Sequence, residues 1–326
     1  MKSLIEKLPA QLREAQELFN ARPMTAAARP IHNVIIAGLG GSGIGGTIVS
    51  ELFGGESPVP IVAVKDYAMP AFLNENSLVI GSSYSGNTEE TLIALEDATV
   101  KGATIAVVTS GGTLLERAQT HGWNYVVVPG GQPPRGMFAY GFVQLLNYLS
   151  HCGVVERDVP AEVEQLATFL ESEQADMRNA ASDLAEYFFG RIPVLYAADG
   201  MGGVTWRFRQ QLNENSKMLA WNAIVPEMNH NELVGWKSGT EQLAVLFLRN
   251  RDDHPRNQAR IEINKGIIEK YTSVRELWSK GSSRLEQMVY LIHLTDWVSY
   301  ELAERNGVDI LEIDAINYLK GELAKL

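Results

Sequence analysis

The sequence predicts an α/β chain made of two doubly wound parallel sheets in tandem, each flanked by helices. Three observations carry that expectation. Short apolar runs alternate with stretches of helical periodicity through the first half, which is the pattern of βαβ units. A glycine loop, Gly38-Leu-Gly-Gly-Ser-Gly43, lies between a strand-like run and a helix-like one. The tetrapeptide Gly38-Leu-Gly-Gly41 returns as Gly200-Met-Gly-Gly203, 162 residues on (200 − 38), about half the chain length.

Taken in order, residues 3–20 set Leu4, Ile5, Leu8, Leu12, Ala15, Leu18 and Phe19 at helical spacing, so a helix should pack on the first domain. Buried strands are expected at 33–37, 61–64, 78–80, 104–108 and 125–128, with helices between most of them. The loop 129–136, rich in proline and glycine, closes this half. A fairly polar helical stretch over 159–189 reads as a connector, and 193–198 as the strand that leads into the second glycine turn. One further buried strand is expected at 242–248 and helices at 257–271, 284–304 and 313–325. The domains divide as 1–155 and 156–326.

The chemistry concentrates in Gly81-Ser-Ser-Tyr-Ser-Gly-Asn-Thr-Glu-Glu-Thr91, where a buried strand runs into hydroxyls and glycines and the loop opens a helix. Ser83, Ser85 and Thr88 supply donors, Gly86 permits a tight backbone, and the helix N-terminus offers unpaired N–H groups with a positive dipole end. That is a phosphate site. Its plain alternative is a helix cap, since Ser, Asn and Thr favour caps. The second half has no such loop.

A net charge of −11 argues against nucleic acid or an anionic membrane as partner, so an anionic substrate must be held locally. The single cysteine, Cys152, excludes an internal disulfide and suits a reducing cytosol. The N-terminal residues carry charges early and form neither a signal peptide nor a membrane span, which makes the cytoplasm the default location. The six histidines are scattered without ligand spacing, so no metal is expected.

Gly38-x-Gly-x-x-Gly43 also fits a dinucleotide fingerprint, with Asp66 in the place of the ribose-binding acid. A bland reading is close helix–sheet packing without ligand. Against the dinucleotide, Ser42 and the hydroxyls of 82–88 follow different strands of one parallel sheet. Loops at the carboxyl ends of such strands gather at one edge. Together they would enclose one compact phosphate, which fits a phosphosugar better.

The loops Gly40-Gly-Ser-Gly43 and Ser83-x-Ser-Gly-Asn-Thr88 resemble those of sugar isomerase (SIS) domains. Asn213-Glu-Asn-Ser-Lys217 and Pro226-Glu-Met-Asn-His-Asn-Glu-Leu-Val-Gly-Trp236 narrow the resemblance to the bifunctional phosphoglucose/phosphomannose isomerase family, and Pro134-Arg-Gly136 is similar to that family's loop. The resemblance covers nearly the whole chain and implies two SIS domains. It implies that Gly41, Ser42, Ser83, Ser85 and Thr88 bind the sugar phosphate. Arg135 would steady the intermediate, and Glu214 would move the proton between C1 and C2. His230 and Lys320 would assist ring opening. It also implies a homodimer in which His230 reaches the partner's site, and no cofactor. One stretch departs: the family often has an Asp-Pro-Thr-Pro-like segment where this chain has Asp309-Ile-Leu-Glu312, so the shape near C2 is open.

Each residue has an ordinary alternative: a solvated glutamate for Glu214, a turn for His230, an exposed loop arginine for Arg135, and the polar face of an amphipathic helix for Lys320. The parts nonetheless suit aldose–ketose isomerisation, which needs a carboxylate to carry a carbon-bound proton and a cation for the enediolate. A non-catalytic phosphosugar-binding regulator is the rival, and a nicotinamide oxidoreductase a third reading.

Overall fold

The computed structural model describes residues 1–325. Its first half is a five-stranded parallel sheet of β1 (Asn33–Ala37), β2 (Ile61–Val64), β3 (Ser77–Ser82), β4 (Thr104–Thr109) and β5 (Asn124–Val127), in the order β2-β1-β3-β4-β5. Its second is a four-stranded parallel sheet of β6 (Ile192–Ala198), β7 (Trp221–Val225), β8 (Leu243–Arg249) and β9 (Val274–Trp278), in the order β7-β6-β8-β9. The second order repeats the first four strands of the first, so the matching glycine turns follow topologically equivalent strands, β1 and β6. In each sheet the chain steps to one side and then to the other, and this places the switch points between β1 and β3 and between β6 and β8. Ligand crevices form at such points.

Alternation along β1 assigns the layers. Ile35 faces an outer cluster with Val79, Val107, Leu95 and Leu114, the last two on α4 (Glu89–Val100) and α5 (Gly112–His121). Val34 and Ile36 face a large inner core. That core is filled by α2 (Leu8–Asn20), α3 (Gly40–Phe53), α6 (Phe138–His151), α7 (Val159–Phe188), α8 (Gly202–Glu214) and α11 (Arg284–Asn306). Leu195, Ala197, Leu246 and Leu248 close it from the second sheet, whose far face carries α10 (Pro255–Ile268). The two sheets therefore share one helical filling, and the connector α7 is part of it, burying Val163, Leu166, Leu170 and Leu184. Among the described residues, no helix is long and apolar enough to cross a membrane.

The N-terminal helix is broken in two, α1 (Lys2–Glu6) and α2, where the periodicity predicts one. Pro9 has no N–H for the Ile5 carbonyl, four residues back. That carbonyl instead accepts the Nε2 proton of buried His293 at 2.9 Å. Strands β7 and β9 are also additions to the sequence expectation. Both are sheet edges, only partly buried, and so lack a continuous apolar run. The short α9 (Glu232–Gly235) and the C-terminal α12 (Asp314–Leu323) complete the described chain.

Helices α3 and α8 cross head to tail. The N-terminus of α8 meets the C-terminal part of α3: the Gly203 N–H donates to both oxygens of Glu51, at 3.0 and 2.9 Å, and Ile48 packs against Gly203. Burial pushes the Glu51 carboxyl above its usual range, and the Gly203 N–H opposes that shift. At the other end of the crossing lie the N-terminus of α3 and the C-terminus of α8.

Candidate active site

No side chain caps α3 or α4, and both helices begin at the β1/β3 switch point, with the Ser42 N–H already donating to the Leu39 carbonyl at 3.1 Å. The two loops touch there, as loops at the carboxyl ends of neighbouring parallel strands must. Ser42 Oγ accepts the Tyr84 N–H at 3.1 Å, and Ser82 Oγ donates to the Ser42 carbonyl at 3.3 Å. Ser83 is buried, with its hydroxyl 2.8 Å from Thr88 Oγ1 and accepting the Gly86 N–H at 3.2 Å. It braces the loop from inside. Ser85 is exposed, and among the described residues its hydroxyl accepts the Asn87 N–H at 3.3 Å and donates to no protein group. Gly86 sits at φ +70°, and a Cβ there would lie 1.8 Å from the Gly111 carbonyl, so only glycine fits.

The loop 129–136 comes over this edge. A Cβ on Gly41 would stand 3.2 Å from the Arg135 nitrogen, which shows how closely the glycine turn and the arginine loop are seated. Arg135 lies in a single 3-10 turn and is buried, 3% exposed, where an exposed loop arginine was the ordinary alternative. Its Nε donates to Asn215 Oδ1 at 2.6 Å, Nη1 to Glu214 Oε2 at 3.2 Å, and Nη2 to the Ile310 carbonyl. Burial lowers its pKa from the usual arginine value, with the Glu214 charge working against the shift. Glu214 is the last residue of α8 and half-buried. A carboxylate and a guanidinium from opposite halves of the chain thus meet beside the hydroxyl loop.

Three features here escape residue-by-residue reading. Asn215 and Ser299 anchor the arginine from below, through a hydrogen bond of 3.0 Å between Asn215 Nδ2 and Ser299 Oγ. Arg207 donates to the Arg135 carbonyl at 3.1 Å and to Asp296 at 2.6 Å. Lys217, at φ +57°, donates to the Glu214 carbonyl at 2.6 Å and to the Glu312 carbonyl at 2.8 Å. Together Arg135 and Lys217 seat the segment 309–312 over the site. Asp296 carried a signal, being an acid amid the apolar face of α11 beside Leu294, Trp297 and Val298.

His230 and Lys320 lie apart from this cluster. His230 ends the 3-10 turn Glu227–His230 after β7, exposed to solvent. Lys320 is exposed on α12, none of whose described residues is buried. Among the described residues, no hydrogen bond or ion pair joins either side chain to Arg135, Glu214 or the hydroxyl loop. Asp66 is exposed and accepts the Tyr67 N–H at 2.7 Å. A cavity of about 20 Å³ beneath the glycine loop, lined by Ser42, Ser82, Tyr84 and Phe138, is too small for a sugar.

Comparison with known proteins bears on the family and the fold. The family model described as the bacterial phospho-glucose isomerase C-terminal SIS domain matches residues 177–323. The bifunctional phosphoglucose/phosphomannose isomerase of Caldicellulosiruptor bescii is 35% identical over 99% of this chain and 98% of its own. That of Aquifex aeolicus is 37% identical over 91% and 92%. In fold, the C-terminal domain of glucosamine-fructose-6-phosphate aminotransferase from Francisella tularensis superposes with a TM-score of 0.72 at 12% identity, covering 94% of this chain and 96% of that one. With relatives at this identity along nearly its full length, the chain belongs to the bifunctional phosphoglucose/phosphomannose isomerase family.

Proposed function

We propose that this protein is a phosphosugar isomerase that interconverts glucose 6-phosphate, and mannose 6-phosphate, with fructose 6-phosphate through an enediolate. The observation that supports the reading is the Arg135–Glu214 contact of 3.2 Å at the edge of the hydroxyl loop, a carboxylate and a guanidinium side by side. The phosphate is held by the first-turn N–H groups of α3 and α4, by Gly41 and by the hydroxyls of Ser42, Ser85 and Thr88, with Ser83 shaping the loop. The sugar extends toward Glu214. The Glu214 carboxylate takes the proton from C2 of the aldose and returns it to C1, and Arg135 stabilises the enediolate oxygen as its charge develops. None of these steps calls for a metal or a redox cofactor.

His230 and Lys320 act in ring opening on this reading, and His230 is supplied by a second copy in a homodimer. Its exposure supports that assignment, as do unburied apolar side chains nearby in sequence, Leu219 at 83% and Val234 at 69% exposed. The domain division 1–155 and 156–326 and a cytoplasmic location belong to the same reading. A coupled assay that starts from fructose 6-phosphate and reads glucose 6-phosphate and mannose 6-phosphate separately tests it. Formation of neither product would sink the isomerase and leave the phosphosugar-binding regulator.

A further inference from the structure

We propose that Asn215 is a positioning residue for the isomerisation: it fixes Arg135 through a neutral oxygen, so that the guanidinium charge is left for the intermediate. The proposal rests on the isomerase reading above. Asn215 is fully buried, and its hydrogen bonds run in one direction. The Arg135 Nε–H donates to Oδ1 at 2.6 Å, Nδ2 donates to Ser299 Oγ at 3.0 Å, and the Ser299 hydroxyl donates to the Asp296 carbonyl at 2.7 Å. A guanidinium can only donate, so the amide oxygen must face Arg135, and Ser299 must receive the amide N–H. The orientation is therefore determined from both ends.

The charges beneath the site are paired off elsewhere. Asp296, buried on α11, gives one oxygen to Arg207 at 2.6 Å and the other to Gln211 at 2.9 Å, so its charge is matched by Arg207. The Arg207 guanidinium also holds the Arg135 carbonyl, and so steadies the loop without touching the reactive guanidinium. Glu214 is then the one carboxylate that meets Arg135 among the described residues. This has a chemical consequence. When Glu214 takes a proton from carbon it becomes neutral at the moment the enediolate forms, and Arg135 exchanges one anionic partner for the other. An acid at position 215 would break that exchange, because Arg135 would stay paired throughout.

Asn215→Asp is close to isosteric and keeps an acceptor for Nε, which makes it the test, alongside Asn215→Ala. In the full-length protein, kcat and KM for fructose 6-phosphate are measured together with the hydrogen-exchange protection of the Arg135 Nε–H by NMR. Asn215→Asp is expected to keep the Nε–H protected and KM within about threefold, while kcat falls roughly ten- to hundredfold. Asn215→Ala is expected to lose both the protection and kcat. A protected Asn215→Asp variant with wild-type kcat would overturn the proposal, and so would an Asn215→Ala variant with wild-type kcat. Where neither folds, Ser299→Ala removes the group that orients the amide. It should lower kcat and Nε–H protection together, and no change in either would overturn the proposal. Wild-type protein that isomerises none of the three sugar phosphates would sink the isomerase reading instead, whatever the exchange data show.

Discussion

Replacing Glu214 with glutamine removes the proposed base and little else. The ion pair to Arg135 spans 3.2 Å, and the Glu214 side chain is 30% exposed, so water shares in screening it. The amide keeps an oxygen for Arg135 Nη1, while the guanidinium retains Asn215 and the Ile310 carbonyl. The cost to stability should therefore stay at about 1–2 kcal/mol, the scale of weakening one hydrogen bond to a charged group. Loss of a general base lowers turnover by roughly 10²–10⁴-fold, or about 3–5 kcal/mol of barrier. The two magnitudes separate the effects: a folded variant should bind fructose 6-phosphate nearly as well as the wild type and yet scarcely turn over. Deuterium at C2 of glucose 6-phosphate gives a direct reading. Wild-type enzyme should wash it into water, and Glu214→Gln should retain it. Normal washout from the variant would refute the assignment and turn attention to Glu227.

Ser85→Ala and Thr88→Ala should each weaken binding of a non-isomerisable sugar phosphate by about 1–3 kcal/mol, read by calorimetry; unchanged affinity in both would move the phosphate elsewhere. If His230 crosses to the partner, mixing inactive Glu214→Gln and His230→Ala proteins should restore activity through hybrid dimers, and failure despite proven subunit exchange would place the site within one chain. Burial pushes the pKa of His293 down to about 4, below the value near 6.5 of an unfolded histidine, so the unfolded state takes up a proton first as pH falls. Stability should accordingly drop between pH 6.5 and 4, by at most about 1.4 kcal/mol per pH unit from this residue, and His293→Gln should flatten that slope in denaturation curves.

The parallel sheets were legible because interior strands such as 33–37 and 78–80 are apolar on both faces, whereas the order of strands within each sheet was not. Strands β7 and β9 were not, because an edge strand is only partly covered and its composition resembles a loop. At the site, the glycine and hydroxyl loops declare themselves through local backbone needs, and Glu214 and Arg135 were found only through a resemblance to related motifs. Their contact could not be read from the chain: 79 residues separate them, and the head-to-tail crossing of α3 and α8 joins them. The roles of Asn215, Ser299 and Arg207 depend on hydrogen-bond direction inside the core, which no pattern of hydropathy records.

A chain built by repeating one fold begins with two equal chances of becoming an enzyme. The carboxylate of Glu51, seated on the Gly203 N–H, removes that equality. The first copy lends the second the very charge that a substrate would bring, and the second turn becomes a joint between the halves. What looks like a spare turn for an anion is thus a fastening between the two halves, at the far end of the helix crossing from the candidate site. On the reading proposed above, redundancy has been exchanged for rigidity, and the sugar phosphate is left to the first turn.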